Sequence, residues 1–312
     1  MWRMPWRWSA PLFGAVAMVV VAGSAAPRAG QRSQAVSAPR DVTVTLARAA
    51  ERVEDFFERA QSLVCTETVH VQPLSSGLSG DGFGRTVESE LRLSWTPGDD
   101  GEAATEAQTM RLVTRVNGHQ PKKNDRNNCT TPERHDTETQ VLSMLLAGQR
   151  DDYTWKLAGV GTVDKRAALL VDFSEKERLS MEVSVDDDDE DCMTYTLKGG
   201  MRGRLWVDAE SFDVLRLDQR LSGQVEAPMP KKLQRRAGSS PTVLVERFET
   251  SYRFRRHEFD EPKEAVVLPV SSTSLRVMQG NGTSRTRVTT EYRKYRRFMT
   301  AGRLVPPGSQ QR

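Results

Sequence analysis

The apolar and charged positions follow two different periods along the chain, and the first period predicts a helix. From Leu46 to Leu63, apolar residues recur at steps of three and four, with charged residues between them. The apolar stripe consists of Leu46, Ala49, Ala50, Val53, Phe56, Phe57, Ala60 and Leu63. Such spacing puts the apolar side chains on one face of an α-helix. The sequence therefore predicts an amphipathic helix that is packed by this face.

Most of the chain after this helix alternates with period two, which is typical of half-buried β-strands. The apolar positions Met110, Leu112 and Val116 end at an Asn-Gly turn, and Gly280–Gly282 is a hairpin signal between the last two strands. Strands are predicted over 91–95, 110–116, 167–173, 179–185, 205–207, 215–221, 243–254, 265–277 and 283–298. Nearly all of the predicted domain is therefore β-structure.

One further helix is predicted between the strands. Thr137–Gln140 fits a capping box, Val141–Leu146 carries an apolar stripe, and Gly148 is a natural C-terminal stop. The order of elements predicts an α+β fold that is mostly β: a curved antiparallel sheet, open as a half-barrel, with helices packed on the concave face. Because so many strands would expose edges, we expect the sheet to curl toward a barrel.

The N-terminus has the pattern of a secretory signal peptide over residues 1–26. Arg3 and Arg7 precede the apolar stretch Leu12–Ala22, and small residues follow it. The stretch is shorter than the ~20 residues that span a bilayer; an uncleaved anchor is the alternative. We therefore expect an exported bacterial protein that is periplasmic and soluble after cleavage. A polar linker at 27–40, a single half-barrel domain at 41–300 and a disordered tail at 301–312 complete the predicted organisation.

The charge of the chain is almost balanced, with 45 Lys+Arg against 42 Asp+Glu in 312 residues. Removing residues 1–26 takes away two arginines and no acid, so the net charge falls from +3 to +1. So small a charge, together with export, gives no support to a nucleic-acid partner. We expect a monomer without nucleic-acid binding.

The three cysteines differ in their surroundings, and export permits disulfides. Cys129 lies in a polar segment, Cys192 follows the acid run Asp186–Asp191, and Cys65 lies in an apolar, strand-like segment. These surroundings favour a Cys129–Cys192 bridge, with Cys65 staying a buried thiol. The alternative is that all three are reduced, because the spacing contains no CxxC motif.

The sequence predicts no catalytic residue, cofactor or metal site. There are four histidines and no Gly-x-Ser-x-Gly elbow, and the His257-Glu258 pair is followed by Glu261 where a zinc protease needs a second histidine. The acid run Asp186–Asp191 offers oxygen ligands of the kind that calcium accepts, but it lacks the glycine and the spacing of a calcium loop. A solvated hairpin loop explains the acid run better than a calcium site does. Because the sequence shows no catalytic motif, we do not expect an enzyme.

The stretch Gly203–Leu217 reads Gly-Arg-Leu-Trp-Val-Asp-Ala-Glu-Ser-Phe-Asp-Val-Leu-Arg-Leu. It resembles the hairpin of the periplasmic lipoprotein-localisation carriers, the LolA/LolB-like group that includes the RseB-type sensors. The likeness to uncharacterised exported bacterial proteins with this hairpin is greater than to a true carrier. The resemblance implies an open half-barrel closed by helices, with an apolar cavity for acyl chains or lipid-like ligands. The acid run Asp186–Asp191 and a polar insertion at 120–135 depart from the simple carriers.

Two functions follow from these observations. The first is a non-catalytic exported protein that binds an apolar small molecule or acyl chain between sheet and helices. The residues expected to line the ligand are Phe56, Phe57, Trp95, Leu142, Leu145, Leu205, Val207 and Leu215. These side chains would equally suit a filled core, and the alternative is then a cell-envelope interaction or sensor module without a cavity. It would bind an envelope protein or an anionic lipid surface through basic strands that carry Arg253, Arg255, Arg256, Arg293, Lys294, Arg296 and Arg297.

Overall fold

The computed structural model describes residues 41–59, 62–95, 107–122, 125, 140–185, 193–234, 240–260, 263–280 and 282–297. The predicted signal peptide, linker and tail therefore lie outside the described residues. So do Cys129, Cys192 and the acid run Asp186–Asp191, on which the predicted disulfide and acidic loop depend. None of the helices in the described ranges has both the length and the hydropathy needed to cross a membrane.

The described ranges contain thirteen strands, most of them long. Their bounds are β1 Ser62–Pro73, β2 Arg85–Trp95, β3 Ala107–Val116, β4 Tyr153–Val163, β5 Arg166–Glu175, β6 Ser180–Val185, β7 Met193–Lys198, β8 Met201–Asp208, β9 Val214–Leu221, β10 Val225–Pro228, β11 Thr242–Phe259, β12 Glu264–Gly280 and β13 Gly282–Arg297. The final hairpin, β12–β13, agrees with the predicted strands 265–277 and 283–298 to within three residues at each end.

Eleven of these strands form one antiparallel sheet. Its order is β3-β2-β1-β13-β12-β11-β9-β8-β5-β4, with β10 beside β11, while β6 and β7 form a separate hairpin. The sheet is curved and unclosed, since its path ends at β3 on one side and at β4 on the other. The predicted open half-barrel of mostly β-structure is therefore confirmed.

Helix α1 spans Val42–Arg59 and is capped by Asp41, whose Oδ1 accepts the Thr43 N–H at 2.8 Å. The helix buries one face, formed by Leu46, Ala49, Val53, Phe56 and Phe57. It is shorter than predicted, because Leu63 lies in β1 and not on the helix. Leu63 is paired with Leu93 on one side and with Arg297 on the other. The Leu63 backbone thus lies between two neighbouring strands. This strand pairing outweighs the helical spacing of the apolar residues, which had placed Leu63 on the helix.

The mid-chain helix differs from the prediction. A 3₁₀ helix spans Gln140–Leu145, Leu146 is extended with ψ 154°, and a separate short helix, α2, spans Ala147–Arg150. Gly148 therefore lies within α2 and does not end the predicted helix. Four of the five positions from Leu142 to Leu146 are buried. One face of an α-helix buries fewer positions than this, so the break at Leu146 lets consecutive leucines reach the core. A third short helix, α3, spans Lys231–Gln234.

The main core lies between α1, the 3₁₀ helix and one face of the sheet. The sheet contributes Leu63, Cys65, Leu91, Leu93, Leu169, Val171, Phe173, Leu205, Val207 and Leu217, among others. A second, smaller cluster lies under the β6–β7 hairpin and contains Met181, Leu221, Val225, Ala227, Met229, Val243, Val245 and Met278. Helix α1 and the 3₁₀ helix thus cover the part of the sheet that forms the main core. The β6–β7 hairpin covers the part that forms the smaller cluster.

Strand β3 presents its apolar side chains opposite to the expected face. Val116 is buried, but Met110 and Leu112 are 64% and 60% exposed, while Arg111 points inward. The cause is a bulge in the pairing of β2 with β3, at which Thr114 has no residue opposite it on β2. One extra residue reverses the side-chain alternation on the two sides of a bulge. The apolar character of the strand is therefore right, and its predicted inward face is wrong for two of three residues.

Candidate functional site

A pocket of about 180 Å³ opens between the 3₁₀ helix, the sheet and the β6–β7 hairpin. Strands β4, β5, β8 and β9 form its floor, and β7 lies along one side. Its lining residues are Val141, Ser143, Met144, Gln149, Tyr153, Phe173, Glu175, Leu197, Gly199, Met201 and Gln219. We refer to it as the hairpin pocket. It lies where the main core and the smaller methionine-rich cluster meet.

Aromatic rings form one wall of the hairpin pocket. The ring centroids of Tyr153 and Phe173 are 6.0 Å apart, and Trp155 lies within 5.8 Å of Phe173. The Trp155 indole donates to the Arg150 carbonyl at 2.9 Å, which fixes the outer ring. Gly203 makes room behind this wall, since a Cβ there would come within 2.8 Å of Phe173 Cζ. The wall is therefore apolar and closely packed.

The rim of the hairpin pocket is polar. Glu175 is half-buried, and its Oε2 accepts the Met201 N–H at 3.0 Å. Across the opening, the Ser143 hydroxyl donates to Gln149 Oε1 at 2.8 Å. The lining thus combines apolar side chains with one carboxylate and several neutral hydrogen-bonding groups, and polar atoms make up most of its accessible surface. A ligand with both apolar and polar groups matches this lining better than a purely apolar one does.

The pKa of the Tyr153 hydroxyl shows the effect of the charges at this rim. Burial, the larger cause, and the nearby carboxylates of Glu175 and Asp152 raise the pKa of the Tyr153 hydroxyl to about 12. Desolvation and negative charge both oppose formation of the phenolate. The Tyr153 hydroxyl therefore stays protonated at neutral pH, in a field that is negative.

The structure brings most of the predicted ligand-lining residues together, but not around this pocket. Phe56, Phe57, Leu142, Leu145, Leu205 and Val207 pack in the main core. Leu215 is buried outside that cluster, because a bulge pairs Val207 with Val214 and leaves Leu215 as the extra residue. Trp95 is the last residue of β2, and its side chain lies outside the described part of the molecule. That these eight residues line a ligand stays a prediction.

Sequence reasoning missed the residues that form the hairpin pocket. The apolar run of the predicted strand 167–173 indicated a buried strand, and Phe173 at its end is buried. No local signal could show that Leu197 of β7 and Met201 of β8 would lie across from it, since the β6–β7 hairpin is not part of the main sheet. The polar rim was missed for the same reason, because its members are far apart in sequence.

The hairpin that carries the family resemblance has a structural role. At its turn, Asp208 Oδ1 accepts the backbone N–H groups of Glu210 and Ser211, at 3.0 and 2.8 Å. Phe212 is buried in the main core with a positive φ of 62°. The Arg52 guanidinium of α1 donates to the Ser211 carbonyl at 2.9 Å. The turn therefore fastens α1 to the sheet.

A groove of about 600 Å³ lies beside this turn and is strongly polar. Its lining residues are Arg48, Glu51, Arg52, Asp55, Glu210, Ser211 and Phe212. The Arg48 guanidinium lies 4.8 Å from the centroid of the Phe212 ring, and Arg52 also contacts Asp55. The charges of both signs in this groove largely compensate each other, so the groove suits an apolar ligand less well than the hairpin pocket does.

The basic strands are compensated by acids in the same way. Arg297 is not part of an exposed patch, since its side chain is 16% exposed and pairs with Glu264 at 2.7 Å. The other pairs among the described residues include Arg293 with Glu291, Arg296 with Glu90, Arg255 with Asp164 and Arg256 with Asp213. These contacts reduce the positive field on which an interaction module would depend.

The comparisons with known proteins concern the fold. No family model and no curated protein sequence matches the chain. The similar solved structures include a DUF1329 family protein from Desulfovibrio piger, with 13% identity over 83% of this chain and 94% of that one and a TM-score of 0.42. A LolA superfamily protein from Nitrosomonas europaea has 10% identity over 81% and 94%, with a TM-score of 0.29.

A third similar structure is the MucA/MucB complex of Pseudomonas aeruginosa, with 11% identity over 80% of this chain and 99% of that one and a TM-score of 0.20. These neighbours include the group that the hairpin resembles, as the sequence predicted. Such low identities and TM-scores carry no information about ligand or activity.

In the described ranges, no group of three or more His, Cys, Asp or Glu side chains is placed to hold a metal ion.

Proposed function

We propose that this chain is a non-catalytic, exported binding protein that takes an apolar or acyl chain into the hairpin pocket. The supporting observation is the pocket itself, whose lining includes Met144 and Phe173 of the main core and Leu197, which packs against the smaller cluster. Burial of hydrocarbon would supply the affinity, at about 0.8 kcal/mol for each CH₂ group. Export rests on the signal-peptide pattern of residues 1–26.

The pocket must enlarge to hold a whole acyl chain. Its volume of about 180 Å³ is smaller than the roughly 300–1,000 Å³ of common ligand pockets. The 3₁₀ helix Gln140–Leu145 is the wall best suited to move, because i→i+3 hydrogen bonds have poorer geometry than those of an α-helix. Met144 on this wall has a flexible side chain that adapts to new shapes. A chain would therefore enter by displacing Met144 and the 3₁₀ helix.

Native mass spectrometry tests this proposal. The protein is purified from its own export pathway, and its mass is recorded before and after organic extraction. We expect an additional mass that extraction removes and that lipid analysis identifies as an acyl compound. A bare polypeptide mass, together with no uptake of an added fatty-acyl probe, would exclude the proposal.

A volume-filling variant locates the site. Val141→Trp adds a large side chain at the pocket wall, and we expect it to reduce uptake at least about tenfold. Val160→Trp is the matched control, because Val160 is 61% exposed on β4 and does not line the pocket. Equal uptake by the two variants would show that the ligand binds elsewhere.

A further inference from the structure

The charge at the rim bears on which ligands the hairpin pocket accepts. We infer that the pocket selects amphiphiles with a neutral or cationic polar end and discriminates against free fatty acids. This inference rests on the proposed function and names the class of ligand for the same pocket. The observation that carries it is a single half-buried carboxylate, Glu175, in a lining that contains no Lys, Arg or His.

Glu175 is held in place by the backbone. Its Oε2 accepts the Met201 N–H at 3.0 Å, where β5 and β8 lie side by side. Within the described residues no donor contacts Oε1, so this oxygen can accept a hydrogen bond from a ligand. A ligand ammonium or hydroxyl could donate to it, whereas a ligand carboxylate could not.

The basic residues near the pocket have other partners. The Lys176 ammonium donates to the Asp151 carbonyl, and the Lys198 ammonium pairs with Glu182 at 2.9 Å. Both side chains are exposed, and neither lines the pocket. No cation of the lining therefore compensates the charge of Glu175.

Tyr153 supports a negative field at this place. The pKa of its hydroxyl is raised mainly by burial and further by Glu175 and Asp152. The negative charge of these carboxylates therefore acts on a residue that lines the pocket. A ligand carboxylate that entered beside Glu175 would meet this field and would also lose its hydration. Repulsion between two like charges about 4 Å apart near a protein surface is strong enough to weaken binding about tenfold or more.

Three ligands with one dodecyl tail test the selectivity: dodecylammonium, 1-dodecanol and dodecanoate. Their affinities are measured by displacement of the neutral probe N-phenyl-1-naphthylamine at pH 7.5, below the micellar concentrations. We expect dodecanoate to bind at least about tenfold more weakly than the other two. Glu175→Gln should remove most of this difference, since glutamine keeps an acceptor for the Met201 N–H without the charge. Glu177→Gln, in an exposed position outside the lining, should preserve it.

A second variant guards against a folding defect in Glu175→Gln. Gln149 lies on the rim and is exposed, so Gln149→Lys should fold normally and should strengthen dodecanoate binding several-fold relative to the cation. Equal or tighter binding of dodecanoate by the unmodified protein would overturn the inference while leaving the proposed function intact. If none of the three dodecyl compounds displaces the probe or binds, the proposed function itself fails.

Discussion

Arg111 and Glu67 form a doubly hydrogen-bonded ion pair inside the half-barrel. Arg111 Nε lies 2.8 Å from Glu67 Oε2, and a second guanidinium nitrogen lies 3.2 Å from Oε1. The two side chains are only 4% and 2% exposed. The pair joins β1 to β3 across β2, and it exists because the bulge at Thr114 turns Arg111 inward. A buried pair of this kind constrains substitution, since either charge alone would be uncompensated.

Removal of one partner of this pair should be strongly destabilising. We expect Arg111→Leu to lower the free energy of unfolding by about 3–5 kcal/mol, because Glu67 would remain buried as an uncompensated carboxylate. Urea unfolding followed by circular dichroism measures this. The double variant Glu67→Leu with Arg111→Leu should recover most of the loss, and Arg115→Leu, at an exposed position of β3, should change stability by less than about 0.5 kcal/mol. A fully destabilised double variant would contradict this explanation.

Gly203 should not tolerate even a methyl group. A Cβ at this position would overlap the Asp218 carbonyl oxygen, a backbone atom that β8–β9 pairing holds in place. We expect Gly203→Ala to lower the free energy of unfolding by about 1–3 kcal/mol or more through overpacking. Gly223→Ala is the control, since nothing lies within 4 Å of its Cβ position. Thermal unfolding of the two variants provides the comparison, and equal melting temperatures would refute the prediction.

Arg204 should make part of the stability depend on acidity. Its guanidinium is hydrogen-bonded to Asp172 and holds the pKa of that carboxyl below its usual value of 3.8. A depressed carboxyl pKa stabilises the folded state above the unfolded-state value, and this contribution disappears as the pH falls through the folded-state pKa. Because the two side chains are each 39% exposed, the contribution should be below about 1 kcal/mol.

The titration of Asp172 by carboxyl NMR measures this effect directly. In Arg204→Gln we expect the pKa of Asp172 to rise toward its usual value, and the stability difference from the unmodified protein to appear at pH 6 and vanish at pH 2. Arg202→Gln changes an exposed arginine on the same strand and should leave the titration as it is. An unaltered Asp172 pKa in Arg204→Gln would contradict the assignment.

Arg52 should influence the attachment of α1 rather than the whole fold. Its hydrogen bond to the Ser211 carbonyl links the helix to the β8–β9 turn. We expect Arg52→Ala to lower the local opening free energy of α1 by about 0.5–1.5 kcal/mol. Amide hydrogen exchange would show this as faster exchange in Val42–Arg59 with little change in β12 and β13. Glu54→Ala, an exposed position on the same helix, serves as the control.

The chain's local patterns predicted much of this molecule. The stripe from Leu46 to Phe57 is the buried face of α1, and the Gly280–Gly282 signal lies between β12 and β13. Both features depend on neighbours within a few residues, for which helical and strand periods are reliable guides. The curled antiparallel sheet followed from the number of such strands.

Only the tertiary structure decided which side of several strands faces inward and where the pocket lies. The bulges at Thr114 and Leu215 each shift the alternation by one residue, so Arg111 lies inside while Met110 is exposed. No local period records a bulge, because it is defined by the partner strand. The hairpin pocket likewise joins Met144, Phe173 and Leu197, which come from separate elements. Periodicity reports burial along one element, whereas a cavity depends on the packing between elements that are distant in sequence.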